Sequence, residues 1–112
     1  MTKNESMKHA EAIRDNIAEL MRGEVESYFN EGEPMDAAEY IGDALDFEIR
    51  TGLDGDYRSA RIMVGFGGPN IFIDTKTELV QVYWWNEYAE QGIDSDFCAE
   101  VDEYLREIYA CR

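Results

Sequence analysis

The stretch IFIDTKTELVQVYWW, residues 71–85, alternates apolar and polar side chains on either side of a polar break. Ile71 and Ile73 precede the break DTKTE (74–78), and Val80, Val82 and Trp84 follow it. Successive side chains of a strand point to opposite faces of the sheet, so this period of two marks two half-buried strands joined by a hairpin. A two-residue turn at Lys76 and Thr77 pairs Ile73 with Val80 and Ile71 with Val82, which makes one face wholly apolar. The same period runs back through Phe47 and Ile49, and through Ala60, Ile62, Val64 and Phe66. LDGDY (53–57) and GGPN (67–70) supply the intervening turns. A loop at GGPN pairs Phe66 with Ile71 and Val64 with Ile73, and the whole reads as an antiparallel meander of about four strands.

The flanks follow a helical period. TKNE at the start fits a capping box between Thr2 and Glu5, followed by the stripe Ile13, Ile17, Leu20, Met21, Val25 and Tyr28. This long helix is expected to end near NEGEP (30–34), where Gly32 can take a left-handed cap and Pro34 cannot continue the helix. PMDAAEYIGDAL (34–45) reads as a short second helix on Ala37, Tyr40, Ile41, Ala44 and Leu45. The C-terminal helix starts at Asp94 or Ser95 as N-cap, has Asp96 in its first turn, and carries Phe97, Val101, Tyr104, Leu105, Ile108 and Tyr109 on one stripe. Arg106 and Arg112 suit its negative end. The order of helix, helix, strands and helix predicts one α+β domain over residues 1–112, with the two long helices on one face of the sheet.

Bulk properties bound the function. The 112 residues are 45% hydrophobic and 12% aromatic, which is globular composition, and are long enough to form a core without metal or disulfide staples. The formal net charge is -15, from 25 acidic and 10 basic residues. Direct binding to nucleic acid or to an anionic membrane is therefore not expected, and a basic protein surface is. Cys98 and Cys111 fall on one helix, roughly 20 Å apart at about 1.5 Å per residue, so both are expected as free thiols. MTKNESMKHAEAIRDN lacks the apolar core of a signal peptide, no apolar run has spanning length, and the expected compartment is the cytoplasm.

The acids are concentrated. Nine lie between Gly23 and Ile49 (Glu24, Glu26, Glu31, Glu33, Asp36, Glu39, Asp43, Asp46, Glu48) with no Lys or Arg among them. Seven more lie between Asn86 and Leu105 (Glu87, Glu90, Asp94, Asp96, Glu100, Asp102, Glu103), again with no cation. Acidic helix faces serve to solvate a protein, but two uncompensated blocks repel themselves, and a tolerated repulsion points to use. The adjacent tryptophans add a second surface. On strand parity Trp84 joins the core while Trp85 faces outward with Tyr83, Phe72, Leu79 and Met63. That second face is either covered by the short helix or a loop, or is an aromatic partner surface.

In short length, strong acidity, free cysteines and lack of a catalytic motif, the chain resembles the small acidic accessory proteins of phages and mobile elements, which include anti-CRISPR and antirestriction proteins. The similarity is one of composition over the whole chain. It implies carboxylates presented where a nucleic acid presents phosphates, blocking the basic channel of a DNA- or RNA-handling enzyme.

Catalytic and metal chemistry has little to stand on. His9 is the single histidine and reads as a surface residue of the first helix. DGD (54–56) and DSD (94–96) lack the remaining ligands of a calcium loop, and GFGGPN (65–70) lacks the Lys and hydroxyl of a phosphate loop. No cofactor or metal is expected. The first expectation is thus a non-catalytic acidic binding protein using Glu24, Glu26, Glu31, Glu33, Asp36, Glu39, Asp43, Glu100, Asp102 and Glu103, helped by Phe72, Tyr83 and Trp85. The second is an assembly module that homodimerises through the aromatic sheet face, and a small carboxylate hydrolase is a distant third.

Overall fold

The first helix, α1, spans Glu5–Met21, and Asn4 is its N-cap, its side chain accepting from the Met7 backbone N–H at 2.7 Å. A computed structural model describes residues 4–111. Thr2 of the expected capping box lies outside the described residues, and Glu5 instead bonds Lys8 on the exposed side of the first turn. The helix ends earlier than expected. Gly23 takes a left-handed φ of 75°, and the Arg22 guanidinium clasps the Glu24 carboxylate just beyond the cap. Val25 and Tyr28 therefore leave the helical stripe and fall in a folded loop. That loop is closed by a bridge between Glu26 and Pro34 and by the Met35 N–H donating to the Val25 carbonyl at 2.7 Å.

The second helix is a single turn, α2 (Ala37–Tyr40), rather than the segment 34–45. Asp36 caps it by accepting from the Glu39 N–H, and it stops at Ile41 and Gly42.

Five strands follow: β1 (Asp46–Thr51), β2 (Tyr57–Gly65), β3 (Asn70–Asp74), β4 (Leu79–Trp84) and β5 (Glu87–Gly92). They form one antiparallel sheet in sequence order, with β1 and β5 at its edges. The β3–β4 register is the expected one, Ile71 against Val82 and Ile73 against Val80. The β2–β3 register is not. Ile62, not Val64, pairs with Ile73, and Gly65, not Phe66, pairs with Ile71. The ladder slips at Gly65, where a Cβ would stand 3.2 Å from the Ile71 side chain. Phe66 is thereby turned out to solvent in the loop. At Ile62 the slip is an even number of residues, so the inward face stays apolar.

β5 was not expected, because only Ala89 marks its inward face. α1 packs closely over β4 and β5, burying Ala10 and Ile17. Gln91, also inward, is held by Arg14, which donates at 2.7 Å. The last helix, α3 (Ser95–Ala110), is capped by Asp94 as expected and lies over β2, burying Phe97, Cys98, Val101 and Leu105. Both long helices thus share one face of the sheet, and their apolar sides complete the core with Ile62, Ile73, Val80 and Val82.

Candidate interaction surfaces

Among the described residues no helix lies on the outward sheet face. Arg61 lies over the Phe72 ring at 3.8 Å, Phe72 meets Tyr83 edge to face at 5.9 Å, and Tyr83 meets Tyr88 at 4.8 Å. The Tyr88 hydroxyl donates to Glu90 at 2.7 Å, and partial burial with that carboxylate pushes the phenol up to about 12. Phe72 and Tyr83 are therefore neighbours on this face, as their parity implies. Tyr88 belongs with them and was missed, since its place depends on the β4–β5 hairpin. Further along the same face Asp74 is almost wholly buried beneath Arg50, whose two amino groups donate to its oxygens at 3.0 and 2.7 Å. Arg50, with the backbone N–H groups of Thr77 and Lys76, holds this carboxyl below its ordinary range.

Trp85 is not on that face. β4 ends at Trp84, which pairs with Glu87, so Trp85 and Asn86 form a two-residue turn in which Trp85 has a φ of 55°. Strand parity does not reach a turn residue. The indole is 90% exposed and leans edge-on against Trp84, beside a shallow hollow of about 180 Å³ bounded by Gly67, Gly68, Asn70 and Tyr83. His9 is half-buried rather than on the surface, its ring 6.0 Å from that of Trp84.

The acids divide by what they already hold. Glu24 is tied to Arg22, and Glu26 accepts from the Gly32 N–H. Glu39 accepts from the Ser27 hydroxyl at 2.6 Å and from the Tyr28 N–H at 2.7 Å, fastening the loop to α2. Asp36 caps α2, and Asp102 accepts from the Tyr57 hydroxyl at 2.6 Å. Burial and Asp102 together push the Tyr57 phenol well above its usual range. Glu31, Glu33, Asp43, Glu100 and Glu103 are exposed and have no ion-pair partner among the described residues.

Packing of α2 against α3 brings the two acidic blocks together. Asp36 of the first block and Glu100, Glu103 and Glu107 of the second surround Tyr104 in a hollow of about 220 Å³. A second hollow of about 370 Å³ continues from Tyr104 past Asp36, Glu39 and Asp43 to Tyr28 and Phe29. Those two aromatics are each 84% exposed. They escaped the sequence reading because Val25 and Tyr28 sit at helical spacing from the α1 stripe, which hid the loop. The nearest basic residue of α3, Arg106, points away, its guanidinium 5.2 Å from the Tyr57 ring. Glu107 completes the α3 row and lay just past the acidic window read from sequence.

The remaining motifs are structural. Asp54 accepts from the Asp56 N–H and from Arg58, Asp94 caps α3, and Asn70 accepts from the Gly67 N–H in the β2–β3 loop. Among the described residues no group of three or more His, Cys, Asp and Glu side chains is arranged to hold a metal ion, and no helix is long and apolar enough to cross a membrane. Cys98 is buried and Cys111 exposed, both as free thiols, and burial, with Glu78 and nearby Asp side chains, pushes the Cys98 thiol up to about 12. Compared with known proteins, the chain matches no family model, no curated protein and no solved structure.

Proposed function

We propose that this protein is a non-catalytic acidic binding protein whose α2–α3 surface receives a basic protein surface, as a nucleic-acid mimic does when it blocks a DNA- or RNA-handling enzyme. The observation that carries the reading is the meeting of two acidic blocks, distant in sequence, around Tyr104, with no Lys or Arg of the described residues lining the hollows between them. Glu100, Glu103 and Glu107 recur at helical spacing along one side of α3, so their charges form a row rather than a scatter. Tyr104, Tyr28 and Phe29 supply the aromatic contact area that interface centres favour and that a purely solvating surface does not need.

The test is competition. Enzymes with basic nucleic-acid channels are assayed for DNA or RNA binding with increasing amounts of this protein, at about 50 mM and about 500 mM salt, since screening shortens the reach of charge well below 10 Å at the higher value. The proposal requires at least one enzyme to lose its nucleic acid competitively at low salt and to recover it at high salt. Indifference across the panel refutes it.

A second reading rests on its own observation. The Phe72, Tyr83 and Tyr88 cluster lies on an uncovered sheet face, which suits a homodimer formed face to face. Sedimentation of wild type against a Tyr83→Ser variant decides it, because a dimer of this kind dissociates in the variant and responds little to salt.

A further inference from the structure

Helices in one layer lie about 8–10 Å apart and strands about 4.8 Å apart, so each helix covers about two strands. Here α1 covers β4 and β5 and α3 covers β2, and among the described residues no helix packs closely over the edge strand β1, whose inward Ile49 is only partly buried against the core. Phe47 on that side is 40% exposed. The result is a groove of about 400 Å³ between β1 and α3, lined by Ile41, Phe47, Ile49, Tyr104, Leu105 and Ile108. Its size falls within the roughly 300–1,000 Å³ of built binding sites, and its walls are almost wholly apolar. Tyr104 and Ile108, 38% and 50% exposed, stand one turn apart on α3, forming an apolar ridge. The acidic row Glu100, Glu103 and Glu107 runs along the flank of that ridge, and Asp43 follows Gly42 at the end of the groove.

We infer that this groove receives a basic amphipathic helix of a partner protein, which lies beside α3 over β1, sets apolar side chains between Phe47 and Ile108, and turns its Lys and Arg toward the α3 acids. The inference rests on the acidic-surface reading above and names the partner's chemistry. Two features select this occupant. The vacant position is the next one in the helix layer, which fits a helix in cross-section. Glu100, Glu103 and Glu107 lie beside the Tyr104 edge of the groove, so the helix that fits is cationic beside its apolar stripe.

The probe is a synthetic helical peptide with leucines on one face and lysines on the other, compared with an isomer of the same composition in which the leucines are dispersed. Anisotropy of the labelled peptides gives both affinities. The amphipathic peptide is expected to bind roughly tenfold or more tighter than its isomer, as buried apolar anchors commonly dominate an interface. That advantage disappears in a Phe47→Ser/Ile108→Ser variant, while the weaker, salt-sensitive binding of the isomer remains. Both positions are partly exposed; should the double variant melt early, Ile108→Lys alone places a repelling charge in the groove and must give the same loss. If the isomers bind equally and both weaken in a Glu100→Gln/Glu103→Gln/Glu107→Gln variant, the groove inference fails and the acidic surface stands. If neither peptide binds, both fail. If wild type is a dimer that the Phe47→Ser/Ile108→Ser variant dissociates, the groove belongs to a second copy of this chain and the inference is overturned.

Discussion

Trp84 and Trp85 meet edge to face, their ring centres 6.4 Å apart, although one closes a strand and the other occupies the turn that follows it. The contact offsets a local cost. A non-glycine residue in the left-handed region is destabilised by about 1–2 kcal/mol, and an edge-to-face aromatic pair recovers about 0.5–1.5 kcal/mol. Trp85→Gly is therefore expected to change stability by less than about 1 kcal/mol, whereas Trp84→Ala, which removes a half-buried ring packed on His9, costs roughly 2–3 kcal/mol. Equal losses in urea unfolding would show that the exposed ring carries core energy.

Arg50 and Asp74 give the sheet a pH dependence. The folded-state pKa of Asp74 is depressed, first by Arg50, so its contribution is fully present above the unfolded value of about 3.9 and is lost as pH falls through the folded value. Asp74→Asn should cost roughly 3 kcal/mol near neutral pH, because Arg50 and the turn amides lose a charged acceptor. The gap between wild type and variant should narrow as the pH is lowered past 3.9 or so. A gap that stays constant across acid unfolding curves contradicts the assignment.

Glu39 is part of the acidic surface and also a tie. Its carboxylate accepts from Ser27 and from the Tyr28 amide, so Glu39→Ala should release the loop that presents Tyr28 and Phe29. A loss of about 1–3 kcal/mol is expected, with faster exchange of the Tyr28 amide hydrogen. Unaltered protection of that amide would mean that the bridge between Glu26 and Pro34 holds the loop alone.

What could be read in the sequence was whatever local periodicity controls. Ile71, Ile73, Val80 and Val82 defined a hairpin and its register because each face was chemically uniform. β5 was not legible because an inward Ala89 and Gln91 answer to the closeness of α1, a tertiary fact. The true end of α1 was hidden because Val25 and Tyr28 happen to continue its spacing, while Gly23, which ends it, looks like any helical glycine. Of the acids, the two blocks were visible, but their meeting around Tyr104 depends on α2 packing against α3. The division between acids that hold loops and acids that face solvent is likewise invisible without the hydrogen bonds. Trp85 was misplaced for a local reason: WN at 85–86 carries none of the usual glycine of a two-residue turn.

That division sets the decisive variant. Glu100, Glu103 and Glu107 can be changed together to Gln without touching a cap, a tie or the Tyr57–Asp102 hydrogen bond. Removing three like charges should leave the melting temperature unchanged or slightly raised. The measurement is the competition of wild type and this triple variant against DNA or RNA for a basic-channel enzyme that the wild type displaces at low salt. A loss of at least tenfold is expected in the variant, equal to much of what high salt removes from wild type. A variant that competes as well as wild type would contradict the claim that the acidic surface around Tyr104 is the binding site.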